Sequence, residues 1–211
     1  FQGSPDTYTV DYSTAGQSLS IVYSDATKGW IPISDDAVTD APVAPATQKA
    51  IFGYGNTGSV TAVSNLVSSS GVVASDVSGV GTARKILAAA TYGGDKGIFG
   101  YGTTASSTDY VSLTNLVNNS GVIAADVTGV GTARRDLAAA KYGTDKAIFG
   151  YGYSGSDVSL TNLVNNVGVV ASDVSGVGTA RHGLAATTYG TDKAIFGYGE
   201  TSGVVSLTNL V

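Results

Sequence analysis

Three Asp–Arg couples recur along this 211-residue chain: Asp76 with Arg84, Asp126 with Arg134 and Asp173 with Arg181, each eight residues apart. A carboxylate and a guanidinium at fixed spacing can serve in two ways. They form an ion pair, within a turn or between neighbouring units, that recurs because the chain around it recurs. Alternatively, the arginines converge into a cationic ring for an acidic sugar. The couples read first as structural pairs, because an ion pair asks for no further catalytic group. Asp95–Lys96, Asp145–Lys146 and Asp192–Lys193 read likewise as turn chemistry.

Other catalytic sets are thin. His182 is the single histidine and Glu200 the single glutamate, so Glu-based acid–base pairs are excluded. A metal site or a Ser-His-Asp triad needs a histidine in company, and His182 reads as a surface variant of Lys85 and Arg135. Cysteine is absent, which removes disulfides, zinc-thiolate sites and thiol nucleophiles. Gly53–Gly58 and Gly150–Gly155 match G-x-G-x-x-G, but a dinucleotide site needs a helix after that turn, and another strand is expected here. No cofactor, no metal and no enzyme activity are expected.

Charged residues are only 13% of the chain and the net charge is −5, with no basic stripe, so nucleic acid is not an expected partner. No apolar run approaches 18 residues, and membrane insertion is not expected. Phe1, not Met, opens the chain, which reads as processed or trimmed; Phe1-Gln2-Gly3 fits a tag remnant or native sequence.

The strongest signal is internal repetition. KAIFGYG or KGIFGYG starts at Lys49, Lys96, Lys146 and Lys193, at spacings of 47, 50 and 47 residues. AVSNLV or VSLTNLV follows each, and GVVASDVSGVGTAR or its near copy starts at Gly71, Gly121 and Gly168. The three extra residues of the second period lie between FGYG and NLV. Each unit reads as four short strands: a, the Ala-rich LAAATYG; b, KAIFGYG; c, VSLTNLV; and d, GVVASDV. A helix competes for TARRDLAAAKYG on propensity, but the stretch between glycine breakers is too short to stand alone as one. Four antiparallel strands in this period match a propeller blade. The fold expected is all-β: a β-propeller-like array of four-stranded antiparallel blades, in repeats 46–81, 82–131, 132–178 and 179–211. A small β-hairpin module over 1–34, turning at Asp25–Gly29, and a linker over 35–45 precede it. The first repeat lacks the Thr-Ala-Arg lead-in and the last stops before strand d; residues 18–24 are a candidate to supply a missing strand.

The pattern Arg-x-x-Leu-Ala-Ala-x-x-Tyr-Gly-x-Asp-Lys-x-Ile-Phe-Gly-Tyr-Gly resembles the kelch motif over about residues 44–211. It departs from it in the Tyr that splits the glycine pair and in the lack of a blade-end Trp. The Thr14–Ser18 stretch, Val22-Tyr23 and Asp25–Ile31 resemble a β module of bacteriophage tail fibres, marine and cyanophage-like, and the KAIFGYG and TNLVNN arrays resemble phage structural repeats. The resemblance implies a virion tail-fibre protein, extracellular, binding a host cell-surface glycan or protein and other virion tail or baseplate proteins, and possibly a homotrimer. The residues themselves also leave open a secreted adhesin, or a glycan-cleaving propeller using the Arg ring. Function is expected where the repeats differ, in the b–c loops. The binding candidates are Asn56, Thr57, Ser107, Asp109, Tyr110, Tyr153, Ser154, Asp157 and Glu200, whose types suit adaptable hydrogen bonding with aromatic anchors. Plain solvated loops are the competing reading.

Overall fold

The computed structural model describes residues 19–25, 29–35 and 50–211. Packing divides the chain into two units, Phe1–Thr47 and Gln48–Val211. In the first, β1 (Leu19–Asp25) and β2 (Gly29–Asp35) form an antiparallel pair with Val22 opposite Ile31 and Tyr23 opposite Trp30. The centre of the expected turn, the first 18 residues of the expected hairpin module and the expected linker beyond Asp35 lie outside the described residues. The ladder partner of β1 is β2, so the expected completion of a blade by residues 18–24 is not seen among the described residues.

The second unit is a succession of small antiparallel sheets. β3 (Ala50–Asn56) pairs with β4 (Val60–Val67). Three sheets of one design follow: β5 (Ala88–Tyr92), β6 (Lys96–Gly100) and β7 (Thr114–Val117); β8 (Ala138–Tyr142), β9 (Lys146–Gly150) and β10 (Thr161–Val164); and β11 (Ala185–Tyr189), β12 (Lys193–Gly197) and β13 (Thr208–Leu210). The protein is all-β, and among the described residues none of the sheets closes into a barrel or propeller. The Ala-rich segments are strands, not helices. Their small side chains let β5 pack on β8 and β8 on β11.

Strand d differs from expectation. Segments 71–77, 121–127 and 168–174 touch strand c at two isolated bridges each, for example Val117 with Ile123 and Thr114 with Val127. The reason is a side chain. The Nδ2 of Asn65, Asn115 and Asn162 in strand c donates to the carbonyls of Ala74, Ala124 and Ala171. The amide thus takes an acceptor that a continuous ladder would use, and the sheets stop at strand c.

Successive repeats stack with equivalent residues in register. Asp136 donates its backbone N–H to Ile86 O at 3.2 Å, and Gly183 donates to Asp136 O at 2.9 Å, each one repeat back. Gly93 and Gly143 donate to the Asp145 and Asp192 carbonyls of the following turn. Each hydrophobic core lies between two consecutive repeats. One joins Tyr101 and Ile98 with Leu137, Phe149 and Val164; another joins Tyr151 and Ile148 with Phe196 and Leu184; the third joins Tyr54 with Phe99.

The Phe-Gly-Tyr-Gly motif is explained by this stacking. Phe99, Phe149 and Phe196 each meet the Tyr ring of the preceding repeat, Tyr54, Tyr101 and Tyr151, with centroids 5.3, 5.1 and 5.5 Å apart. The Gly before that Tyr makes room. A Cβ on Gly53, Gly100 or Gly150 would lie 3.0, 2.7 or 2.9 Å from the incoming ring. Phe149 is fully buried and cannot swing away. Gly100→Ala is therefore expected to lower unfolding free energy by about 1–3 kcal/mol. Gly203→Ala, where nothing lies within 4 Å of an added Cβ, serves as a neutral control. Urea denaturation of both variants checks this.

Candidate functional site

The three arginines singled out by spacing are the most buried large polar groups of the fold: Arg84, Arg134 and Arg181 are each 0% exposed. Their pairing differs from the eight-residue couples. Arg84 Nη1 lies 3.9 Å from Asp126, not Asp76, and Arg134 Nη1 lies 3.9 Å from Asp173, not Asp126. The partner carboxylate comes from the far end of the same repeat, because the chain must pass through strands a, b and c before segment d brings an Asp back to the start. Asp76 accepts from Asn65 Nδ2 instead.

In Arg84 and Arg134 all three guanidinium nitrogens are engaged, as a planar five-donor fork allows. Arg134 Nε donates to Tyr151 O at 2.8 Å, Nη1 to Thr132 O at 3.0 Å, and Nη2 to Asn162 Oδ1 at 2.7 Å. Arg84 repeats the set with Tyr101 O, Thr82 O and Asn115 Oδ1. All three guanidinium planes, that of Arg181 included, cap an aromatic ring of the preceding repeat: Arg84 stands 4.2 Å over Tyr54, Arg134 4.3 Å over Tyr101, and Arg181 4.2 Å over Tyr151. That Tyr holds a left-handed backbone, with φ of 64°, 65°, 63° and 63° at Tyr54, Tyr101, Tyr151 and Tyr198. The turn aims its carbonyl at its own Arg and its ring at the next. The phenols of Tyr54, Tyr101 and Tyr151 donate to the carbonyls of Val80, Val130 and Val177. The arginines are thus sealed inside the array, and a ring of Arg reaching an acidic sugar is not formed.

The ionisations follow from burial and pairing. Burial pulls Arg84 and Arg134 below the ordinary arginine range, opposed by their Tyr partners; arginine stays charged all the same. Burial pushes the Tyr101 phenol up to about 12, against the opposing pull of Arg134. Tyr54, Tyr92 and Tyr142 are also raised by burial. For Asp126 and Asp173 burial disfavours the charge. Hydrogen bonds from Thr82 and Asn115, or Thr132 and Asn162, with the facing Arg outweigh it and hold both below the usual carboxylate value.

The variable positions gather at the strand b ends. The residue after each buried Arg bridges the residue after Gly-Tyr-Gly, which bridges the returning loop: Lys85, Thr103 and Tyr110; Arg135, Tyr153 and Asp157; His182, Glu200 and Val204. Tyr153 is the centre of this row. Its ring lies 6.2 Å from Tyr110 and 5.5 Å from His182, both edge-on, with the Arg135 guanidinium 5.1 Å over it. His182 Nδ1 is 2.7 Å from Asp157 Oδ1, and Arg135 Nη1 pairs with Asp136. The row is aromatic and partly buried, with Arg135 ion-paired to Asp136 and His182 hydrogen-bonded to Asp157.

Of the expected binding residues, Tyr110, Tyr153 and Asp157 come together, and Glu200 joins through its backbone bridge to His182. Asn56 and Thr57 stand at the exposed β3–β4 hairpin, where Thr57 N–H donates to Ser59 O. Asp109 accepts from Ser106 N–H inside the longer 104–109 loop, which also holds the exposed Ser107; Ser154 N–H donates to Ser156 O in its own turn. Arg135, Asp136 and His182 are the members that sequence reasoning missed. Asp157 lies 25 residues from His182, so proximity in sequence gave no hint of a carboxylate partner. The readable signal was Lys85, Arg135 and His182 differing at one repeat position, directly after a constant Arg. No group of three or more His, Cys, Asp or Glu suited to a metal occurs among the described residues. No helix among them is long and apolar enough to cross a membrane. A scan against models of protein families finds no match to the chain, and a search of curated proteins finds none either.

Two outcomes follow from the clasp. Arg134→Ala leaves Asn162, the Tyr151 carbonyl and Asp173 without their cation, and should cost about 3–5 kcal/mol in urea unfolding. Stability should also fall at both pH extremes. The raised tyrosines contribute fully below about pH 10, the ordinary phenol value, and that contribution disappears as pH rises through the folded value of about 12 at Tyr101. The lowered Asp126 and Asp173 contribute fully above about pH 4 and lose their effect as pH falls through and below it. Unfolding free energies at neutral pH, near pH 11 and near pH 2.5 measure this.

Proposed function

We propose that this chain is a non-enzymatic structural protein of a phage tail fibre or similar appendage, whose repeats present the Tyr110–Tyr153–His182 row to a host-surface glycan. The observation that carries this reading is the row itself. Aromatic rings with the Arg135–Asp136 ion pair and the Asp157–His182 hydrogen bond sit on three successive repeats. Aromatic faces stack on the apolar faces of sugar rings, and the Arg135, Asp136, Asp157 and His182 side chains offer both donors and acceptors to hydroxyls. The constant residues meanwhile serve the scaffold: Arg, Tyr, Phe and Asn of each repeat are spent on packing, which leaves variation to the loops. The fibre-like sequence of residues 14–31 and the Gly/Ser/Thr-rich loops support placement on an extracellular virion. In this reading the sheets are propeller-like blades, because the Ala-rich first strand of each packs on its counterpart, as inner blade strands do.

The test is a host-glycan array with the 211-residue chain and its Tyr153→Ala variant. The expected result is binding that falls by about tenfold or more in the variant while circular dichroism and melting stay unchanged. Binding undiminished by Tyr153→Ala overturns the site, and absence of any glycan binding overturns the ligand class.

A further inference from the structure

The Tyr153 row occupies one end of the b strands. At the other end, the a–b turn of the second repeat meets the c–d turns of the second and third repeats. A cavity of about 390 Å³ lies there, lined only by residues of 92–124 and 166–167, with described chain on both sides. Tyr92 and Leu116 form its floor. The Gly168 backbone holds them down: a Cβ on Gly168 would lie 2.8 Å from Leu116 and 3.0 Å from the Tyr92 Cζ and phenol oxygen. The walls are Val122 and Val167, which are 61% and 65% exposed. The position of Val167 is Ser70 and Ser120 in the earlier repeats, so this cavity alone has the apolar side chain at its turn tip.

Polar groups around this apolar lining have hydrogen-bonding capacity to spare. Tyr92 is only 2% exposed, yet its phenol has no hydrogen-bond partner among the described residues, whereas the buried Tyr54, Tyr101 and Tyr151 each donate to a Val carbonyl. Burial pushes the Tyr92 phenol above its ordinary value, so it remains a donor at neutral pH. Asn118 Oδ1 accepts from the Ser120 and Val122 N–H groups at 3.0 and 2.9 Å, which leaves its Nδ2 to offer. Asn166 brings a side-chain amide with both a donor and an acceptor. Lys96 stands at the rim with its Nζ 3.4 Å from Asp95, so its charge already has a partner.

We infer that this cavity is a binding site for the N-acetyl group of an amino sugar. An acetamido group has one methyl, one carbonyl oxygen and one N–H, and the cavity answers each. The methyl packs between Leu116, Val122 and Val167. The carbonyl oxygen accepts from the Tyr92 phenol and Asn118 Nδ2, and the N–H donates to the Asn166 side-chain oxygen. A purely apolar ligand would leave the buried phenol unpaired, which costs an unmade hydrogen bond. A carboxylate would find its one nearby cation, Lys96, already held by Asp95. The site is separate from the Tyr153 row and does not depend on that row binding any ligand.

The experiment is a titration of the full 211-residue chain with N-acetylglucosamine, N-acetylgalactosamine and N-acetylmannosamine, followed by backbone amide NMR. At least one is expected to bind in the millimolar range and to shift the amides of Asn118, Val122 and Gly168. The matching sugar without the acetamido group should bind about tenfold more weakly or worse. Tyr92→Phe removes only the unpartnered hydroxyl, and Val167→Ser restores the residue of the earlier repeats. Both should keep the melting temperature and weaken the N-acetylated sugar by about threefold or more. Tyr153→Ala should leave this binding unchanged, which separates the site from the row. No shift with any of the three sugars, equal binding of the sugar lacking the acetamido group, or binding indifferent to both Tyr92→Phe and Val167→Ser overturns the assignment.

Discussion

A guanidinium without water holds this array together. Burying a cation is expensive unless every donor finds an acceptor and the charge finds a counter-charge. Arg84 and Arg134 meet both demands with groups drawn from four places: the turn before the Arg, the left-handed Tyr at the end of strand b, the Asn of strand c and the Asp of segment d. The fold of a repeat is close to the route that brings those four groups to one point. The same cation then caps the Tyr of the preceding repeat, so intra-repeat closure and inter-repeat stacking share one residue.

This sharing separates scaffold from surface. The residues at constant positions point into the seams, where the cores also lie. Positions one step beyond the buried Arg and one step beyond Gly-Tyr-Gly leave the seam and form the row around Tyr153. The loop 104–109 holds the one insertion, outside every contact of the clasp, which is why the repeat length can change there without moving an arginine.

Much of this was legible from sequence. Period, strand content and turn positions follow from Gly-Asp-Lys turns, Ile-Phe pairs and short Ala-rich runs. Pairing was harder. Eight residues between Asp76 and Arg84 suggested partnership, but the three-dimensional neighbour of Arg84 is 42 residues on, at Asp126, because chain return and not local spacing decides it. Strand d failed as a strand for a reason invisible in propensity: an Asn side chain competes for its carbonyls. Tyr54, Tyr101 and Tyr151 hold φ near +64°, which could not be read from a residue type that rarely adopts it. The meeting of His182 with Asp157 belongs to the same class, since two loops of different repeats supply it.

The backbone bonds from Asp136 to Ile86 and from Gly183 to Asp136 place equivalent residues a single hydrogen bond apart, with the variable Lys85, Arg135 and His182 immediately before them. The array is in this sense a graduated ruler. In the proposed reading, a ligand that itself repeats, such as a linear polysaccharide, would meet the marks one after another. Its hold then depends on how many marks it spans, so that contacts weak singly add into avidity, and a change in repeat number alters grip without altering any single contact.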